Sequence, residues 1–466
     1  MVLSNPVQGS RSRVKSSHSH RPPGPKGLPF LGNLLAFGKD QLGFFTETAR
    51  LYGDLVSLNL AGWPALIVSD VEAIEKILVK DHKNYIKDRL IWRHVTALFG
   101  NGLLTNEGES WQRQRRLAAP AFAGQQLLAY DSEMVALTHK MLDRWKNGQI
   151  LNIHPEMMEL TLRIAAKTLF DSKVERDISD MDRALNDLVM EIASRIKRPI
   201  IVIPDAIPLP GHLRYRRAIR TVERVVSSMI AERRAGGLEN RDDFLSRLMA
   251  ARDETGKPMS DELLRDEAIT LLLAGHETTA LALSWAWFLL GQHPEAEARM
   301  AAEIADVLGD RPATTHDLPH LKYTEGVVME SMRIYPPAWA MGRESIGPFE
   351  LGGYAFPAGM TIFISPWILH RDPRYFEEPD AFRPQRWMGN LAHELPRFAY
   401  MPFGGGPRIC IGQRFAMIEA ILILATMAQR FSAELQSDHK VTPFPSITLR
   451  PKGGVWLKIK DRQTRH

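Results

Sequence analysis

Cysteine is almost absent: the 466 residues contain one, at position 410. A single thiol excludes a disulfide scaffold and fits a reducing compartment. It also excludes an internal iron–sulfur cluster, which needs several thiolates. Acidic residues are missing from the start of the chain, the first being Asp40. Residues 1–21 therefore read as a disordered, basic tail; an Arg- and Ser-rich, acid-poor start also fits a transit peptide. No apolar run of the roughly 18 residues needed to cross a bilayer occurs near the N-terminus, so no integral membrane anchor is expected. The basic residues are not interleaved with a stacking set of aromatics, which argues against nucleic acid as a partner despite a net charge of +5. Two common motifs fail at one position each. The glycines at 404–406 are not followed by Gly-Lys-Ser/Thr, so they make no phosphate loop. His276-Glu277 has Ala280 where a zinc-binding His-Glu-x-x-His needs its second histidine.

What is present centres on Phe403-Gly404-Gly405-Gly406-Pro407-Arg408-Ile409-Cys410-Ile411-Gly412. Three glycines in a row strip the backbone of bulk and let a large flat ligand approach it. From about Gly412 the pattern turns helical through Phe415, Ala416, Ile418, Glu419, Ile421, Leu422 and Ala425. Cys410 then stands just before a helix N-terminus, where the dipole and free N–H groups favour a thiolate. A thiolate in a dry loop is a soft ligand suited to iron. An inert buried thiol and a nucleophilic cysteine are the alternatives at this point; a phosphatase-like loop is not, because Arg414 follows Cys410 too closely.

The rest of the chain reads as mainly helical. Helices are expected at 40–52, after Asp70, from Trp111, throughout 125–192, from Arg214, and over Asp261–Leu290, Pro294–Leu308 and Tyr323–Tyr335. Strands are expected at Leu55–Leu60, Ala65–Val68, Gly353–Phe356 and Thr361–Ser365, with Ile447–Arg450 and Gly454–Ile459 as a closing hairpin. Residues 196–213 form an apolar connector punctuated by Pro199, Pro204, Pro208 and Pro210. Between Ala268 and Leu290 apolar residues occur on every face, as in a helix buried all round, and Ser260 is the expected cap of Asp261–Leu290. Ala274-Gly275-His276-Glu277-Thr278-Thr279 sits at its middle, where a buried Glu is costly unless satisfied. Trp111 and Arg115 share a helix face, and an indole N–H with a guanidinium suits a carboxylate. Glu330 and Arg333, three apart, can pair.

These segments, in this order, resemble the cytochrome P-450 family of haem-thiolate monooxygenases. The motifs lie between residues 111 and 412, and weaker likeness extends over about 22–460. The resemblance implies one α+β domain, mainly α with a small β region, over 22–466, with the long central helix over one haem. It implies Cys410 as the iron ligand, donating electron density that favours O–O cleavage. It assigns haem contacts to Trp111, Arg115, Ala274, Arg343, Phe403, Gly404, Arg408 and Gly412, with Trp111, Arg115, Arg343 and Arg408 as propionate donors. It makes Thr278, helped by Glu277, the route for protons to oxygen. Ala274, Ala338 and Trp339 are implied pocket walls, and 196–213 a lid. Glu330 and Arg333 become a structural pair with Arg386 as third member. The implied partners are O2, an apolar molecule such as a fatty acid or terpenoid, and a ferredoxin or flavodoxin-type donor with its reductase, docking near Arg113, Arg116 and Arg414 in a cytoplasmic protein. A peroxygenase, an isomerase or a haem-based sensor is the other class, and the Glu277-Thr278 pair separates them.

Overall fold

The computed structural model describes residues 21–122, 124–171, 178–196, 207, 209–235, 243–253, 255–436 and 439–462. The expected tail and transit peptide lie outside the described residues except for Arg21, and so does most of the 196–213 connector. The described chain is mainly helical with small sheets, as expected.

The central helix runs Asp261–Gln292. Ser260 caps it, its hydroxyl accepting from Leu263 N–H at 3.2 Å. At 1.5 Å per residue it is about 48 Å long, enough to cross the molecule. It continues through Gly291, where a side chain would press on Leu435 and Leu457. Apolar residues on all its faces are buried, with Trp285 at the middle of the main core. The Trp285 ring stacks on Tyr335 at 4.0 Å between centroids, and its N–H donates to Leu449 O at 2.9 Å. A second long helix, Ile153–Phe170, packs along it, and the helix after Cys410, Gln413–Arg430, packs across it.

The strands, in chain order, are β1 (Leu55–Leu60), β2 (Trp63–Val68), β3 (Tyr85–Ile86), β4 (Ile150–Asn152), β5 (Met341–Ser345), β6 (Phe349–Leu351), β7 (Tyr354–Phe356), β8 (Thr361–Ile364), β9 (Phe431–Leu435), β10 (Thr442–Pro445), β11 (Leu449–Lys452) and β12 (Trp456–Asp461). The largest sheet has the order β1-β2-β8-β5-β3. β1 and β2 meet in a tight turn at Ala61-Gly62, both with positive φ, so β2 starts at Trp63 rather than Ala65. Pro64 stands just before the first β2 residue paired with β8, where its missing N–H costs no ladder bond on that side.

Four expectations on elements are corrected. The helix carrying Trp111 begins at Gly108, and the basic helix at Arg214 begins at Pro210. The stretch 125–192 is not helical throughout: Gly148, at φ 76°, turns the chain into β4, and Asn152 caps the next helix. The closing hairpin does not form. β11 pairs with β10, while β12 pairs with β4 and β9. Gly453 and Gly454, at φ 85° and 80°, swing the chain out of one sheet into the other, and a side chain at Gly454 would collide with Asn152.

One buried group in this core is out of balance. Glu419, on the helix after Cys410, is fully buried, and neither carboxyl oxygen has a hydrogen bond of good geometry; Thr279 is the polar neighbour. Burial pushes its carboxyl up to about 8, so it is neutral in the folded protein below that pH. In the unfolded chain it ionises near its ordinary value. Its raised pKa thus favours folding fully below pH 4.5, and that contribution is lost as pH rises towards 8. Glu419→Gln, which cannot ionise, is expected to match wild type in thermal melting near pH 4 and to melt higher at pH 8. An unchanged difference across that range would contradict the assignment.

Candidate active site

The cysteine loop is a short folded-back segment. Cys410 N–H donates to Phe403 O at 3.0 Å, and Ile409 N–H to Gly406 O at 3.1 Å. Gly404 and Gly406 have φ of 72° and 68°, which only glycine adopts without strain. The glycine run is not simply open space for a ligand, as the sequence implied. A side chain at Gly405 would collide with Phe398, and one at Gly406 with the Leu78 carbonyl. These two glycines let protein pack against the loop, and only Gly404 is left with room. Phe403 is half-buried against the main core. Gly412 precedes the helix that begins at Gln413, as expected.

Cys410 is exposed, although protein crowds it on most sides. Burial pushes its thiol up; the Gly412 N–H and the Arg115 guanidinium oppose that rise. Ala274 and Ala338 are likewise exposed in the middle of buried stretches, beside Leu273 and between Pro337 and Trp339. Hydrogen bonds tie these segments together: Leu449 N–H donates to Pro337 O at 2.9 Å, and Thr448 Oγ1 to Glu277 Oε1 at 2.8 Å. Trp339 is buried. Its ring packs 5.8 Å from that of Phe45, and its N–H donates to Ser446 O at 2.9 Å.

On the central helix, Thr278 is half-buried and its hydroxyl donates to Ala274 O at 2.7 Å, one turn back. Glu277 is buried and held by Arg450, whose Nε lies 2.7 Å from Oε1. Burial raises its carboxyl, but Arg450 and Thr448 outweigh that and hold it below the usual carboxylate range. Glu277 is therefore ionised at neutral pH and stores no proton. His276 is buried beside it, and burial lowers it to about 4, so it is neutral.

A basic cluster lies beside the cysteine loop. The Arg408 guanidinium sits 4.2 Å over the Trp111 ring and donates to Asn106 O at 3.0 Å and to Glu107. Its Nη1 is buried with no partner. Arg343 is half-buried, donates to Gly342 O at 2.9 Å, and burial lowers it to about 10. Lys87, which sequence reasoning missed, lies 3.8 Å from Glu107, and burial lowers it strongly, with Arg408 adding to the effect. Nearby Asp88 is pushed up to about 6 by burial. Buried cations thus exceed the carboxylates set against them. That imbalance, with an orphaned guanidinium N–H, fits a ligand carrying carboxylates, and haem propionates meet that need. Arg115, one turn along the helix from Trp111, lies near enough to both Cys410 and Arg408 for its charge to act on each. Arg113, expected on a docking face, is paired with Asp253 at 2.5 Å.

Glu330 and Arg333 are both fully buried and paired at 2.9 and 2.8 Å. Arg386 Nε donates to Glu330 Oε1 at 2.9 Å, and Trp387 N–H to Oε2 at 2.8 Å. The expected triad is thus assembled, with Trp387 added. Arg450 and Thr448 are the other partners that sequence reasoning missed, because the terminal strands were paired wrongly. Lys87 lies in an aperiodic loop and carries no sequence signal.

A cysteine loop, a cationic cluster suited to carboxylates and an exposed Ala274 on a Thr-bearing helix fit a haem-thiolate oxygenase site. The family model for cytochrome P450 matches residues 22–458. The chain is 37% identical over 427 residues to cyclooctatin synthase of Streptomyces melanosporofaciens, covering 91% of this chain and 92% of that protein. It is 36% identical to cyclooctat-9-en-7-ol 5-monooxygenase of the same organism, covering 91% and 90%. It is 33% identical to pentalenene oxygenase of Streptomyces avermitilis, covering 94% and 97%. The chain belongs to the cytochrome P450 family. It is a haem-dependent monooxygenase whose iron is held by a cysteine thiolate, and Cys410 is its only cysteine. No helix among the described residues is long and apolar enough to cross a membrane.

Glu330→Ala leaves the Arg333 guanidinium buried without its carboxylate, and is expected to cost about 3–5 kcal/mol. Urea midpoints of the haem-loaded protein measure this. The exposed pair Lys322–Glu325, 3.1 Å apart, is the comparison, and Lys322→Ala is expected to change stability by less than about 1 kcal/mol. Equal effects of the two changes would make Glu330–Arg333 an ordinary bridge.

Proposed function

We propose that residues 22–466 form one domain that hydroxylates or epoxidises an apolar, terpenoid-like molecule in the space bounded by Ala274, Thr278 and Ala338. The observation that carries this is the exposed window on an otherwise buried central helix, beside the exposed Cys410. The similar proteins named for cyclooctatin, cyclooctat-9-en-7-ol and pentalenene support a terpenoid over a fatty acid. Electrons come from a separate ferredoxin- or flavodoxin-type donor docking by charge near Arg116 and Arg414, both exposed. The single cysteine and the bacterial relatives support a cytoplasmic setting.

Bound haem supplies oxygen activation, with the thiolate donating electron density to its iron. The chain's residues do the rest. Trp111, Arg343, Arg408 and Lys87 hold the carboxylates, and Arg115 stabilises the Cys410 thiolate. Phe403, Gly404 and Gly412 shape the loop under the ring. The Thr278 hydroxyl moves the proton. Its own hydrogen is directed at Ala274 O, so its lone pairs face outward to accept from water. To pass a proton on towards O2 the hydroxyl would first turn its own hydrogen away from Ala274 O, then accept a replacement proton from water. Glu277, fixed by Arg450, is a positioning residue: its negative charge orients water near Thr278 rather than supplying the proton.

Thr278→Ala tests this. The variant is expected to bind haem and take up electrons normally, yet to form less product and more hydrogen peroxide per NAD(P)H consumed. The loss from one proton-transfer group is about 10²–10⁴-fold, less where water substitutes. The assay uses terpenes that shift the iron spin state on binding. Wild-type coupling in the variant would overturn the role of Thr278. Turnover with added peroxide but not with reduced ferredoxin or flavodoxin would favour a peroxygenase.

A further inference from the structure

The loop 100–107, between the short helix Thr96–Phe99 and the helix Gly108–Ala118, is tied down at both ends. At one end two neighbouring carboxylates of the central helix hold its backbone. Asn101 N–H donates to Asp266 Oδ2 at 2.8 Å, and Leu103 N–H to Glu267 Oε2 at 3.1 Å. The loop lies so close to the helix that a side chain at Gly102 would collide with Thr270 Oγ1 and Asp266 O. Gln114 Nε2 adds a bond to Asn101 O at 2.7 Å. At the other end Asn106 N–H donates to Gly102 O at 3.0 Å, and Asn106 O accepts from Arg408 Nη2 at 3.0 Å. The loop is thus a strap from the central helix to the basic cluster beside the cysteine loop.

The two carboxylates are not alike. Asp266 is paired with Arg265 at 2.9 Å, and Glu223 of the helix Pro210–Ala235 faces Arg265 at 3.9 Å. Glu267 is 1% exposed and has no cation acting on it among the described residues. Residues 99–105 bring it no charged group. Its Oε1 is buried without a hydrogen-bond partner, as are Thr270 Oγ1, one turn on, and Gln114 Oε1. Burial pushes its carboxyl up to about 7; the Leu103 N–H opposes that rise and the Asp266 charge adds to it. Under the closed strap Glu267 is therefore an uncharged acid below that pH. Once ionised it is a buried charge beside a second carboxylate, and lifting the strap is what brings water to it.

We propose that residues 100–107 form a proton-controlled strap: Glu267 holds Leu103 in place while it keeps its proton and releases the strap when it loses it. Opening draws Asn106 away from Arg408 and loosens the grip of the basic cluster on the haem carboxylates. The sign follows from linkage. A raised value favours the closed strap fully below the ordinary value of 4.5, and that contribution is lost as pH rises through about 7.

The test is hydrogen exchange of the haem-loaded chain, read at the Leu103 amide and corrected for the intrinsic rise of exchange with pH. The opening constant of wild type is expected to be about tenfold larger at pH 8 than at pH 6. Glu267→Gln keeps an acceptor for Leu103 and cannot ionise. It is expected to melt no lower than wild type at pH 6 and to hold its Leu103 protection across the range. Haem transfer to apomyoglobin is expected to quicken from pH 6 to pH 8 in wild type and not in Glu267→Gln. Asp88, pushed up to about 6 near the same cluster, is the control, and Asp88→Asn is expected to open as wild type does. Four results would overturn the proposal: equal Leu103 protection at both pH values in wild type, the same rise in Glu267→Gln, haem transfer that does not quicken, or a rise abolished by Asp88→Asn.

Discussion

A guanidinium with no exposed surface must find an acceptor for its N–H groups inside the protein. Arg333 finds them in the Glu330 carboxylate and in the carbonyls of His370, Pro379 and Ala381, the first at 2.7 Å and the others at 2.5 and 3.0 Å. Those carbonyls belong to the chain that leads into the cysteine loop. His370 Nε2 then accepts from Met401 N–H at 2.9 Å, and Met401 O accepts from Gly404 N–H at 3.0 Å. Tyr400 O–H reaches back to Met329 O at 2.9 Å on the Glu330 helix. One buried ion cluster thus fixes the approach of the loop that carries Cys410. Its worth is geometric: an exposed pair of the same residues would contribute little and fix nothing.

The central helix faces the opposite constraint. Nearly all of it is buried, so any polar side chain on it needs a partner from elsewhere. Glu277 takes Arg450 and Thr448 from the C-terminal strands, which makes β11 part of the site's support. Ser284 and Thr278 instead bond back to carbonyls of their own helix, Ala280 at 2.6 Å and Ala274 at 2.7 Å. The difference matters for chemistry. A carboxylate locked by a guanidinium holds position and charge, whereas a hydroxyl on a local carbonyl can exchange partners at small cost.

Much of this was legible from local pattern. The central helix, its Ser260 cap, the Glu330–Arg333 spacing and the place of Cys410 before a helix all depend on short-range rules, and all appear. What failed was long-range. The partner of a strand is set by where the chain goes after it, so the pairing of Leu449–Lys452 with Thr442–Pro445 could not be read from alternation alone. Arg450 was invisible as the Glu277 partner for the same reason. The cysteine-loop glycines were read as room for a ligand because nothing in sequence shows that Phe398 and Leu78 press on two of them. Trp339, implied as a wall by the resemblance, is buried with its N–H on Ser446 O and its ring beside Phe45, contacts that sequence alone does not reveal.

Without its cofactor the site is out of electrostatic balance at both ends. At one end burial raises the Cys410 thiol, although iron ligation needs the thiolate. At the other, burial depresses Lys87, Arg343 and Arg408, whose combined charge exceeds that of their carboxylate neighbours. One group with a metal cation at its centre and carboxylates at its edge corrects both, since each end is stabilised by the charge it lacks. Neither correction alone suffices: a free metal leaves the cations unpaired, and a free carboxylate leaves the thiol protonated. Arg115 acts on the thiolate, and Arg408, stacked on Trp111, keeps an N–H in reserve for the edge. The charges of these residues would therefore suit a metal-bearing dicarboxylate, with Cys410 to hold its metal and Arg408 and Arg343 to meet its carboxylates.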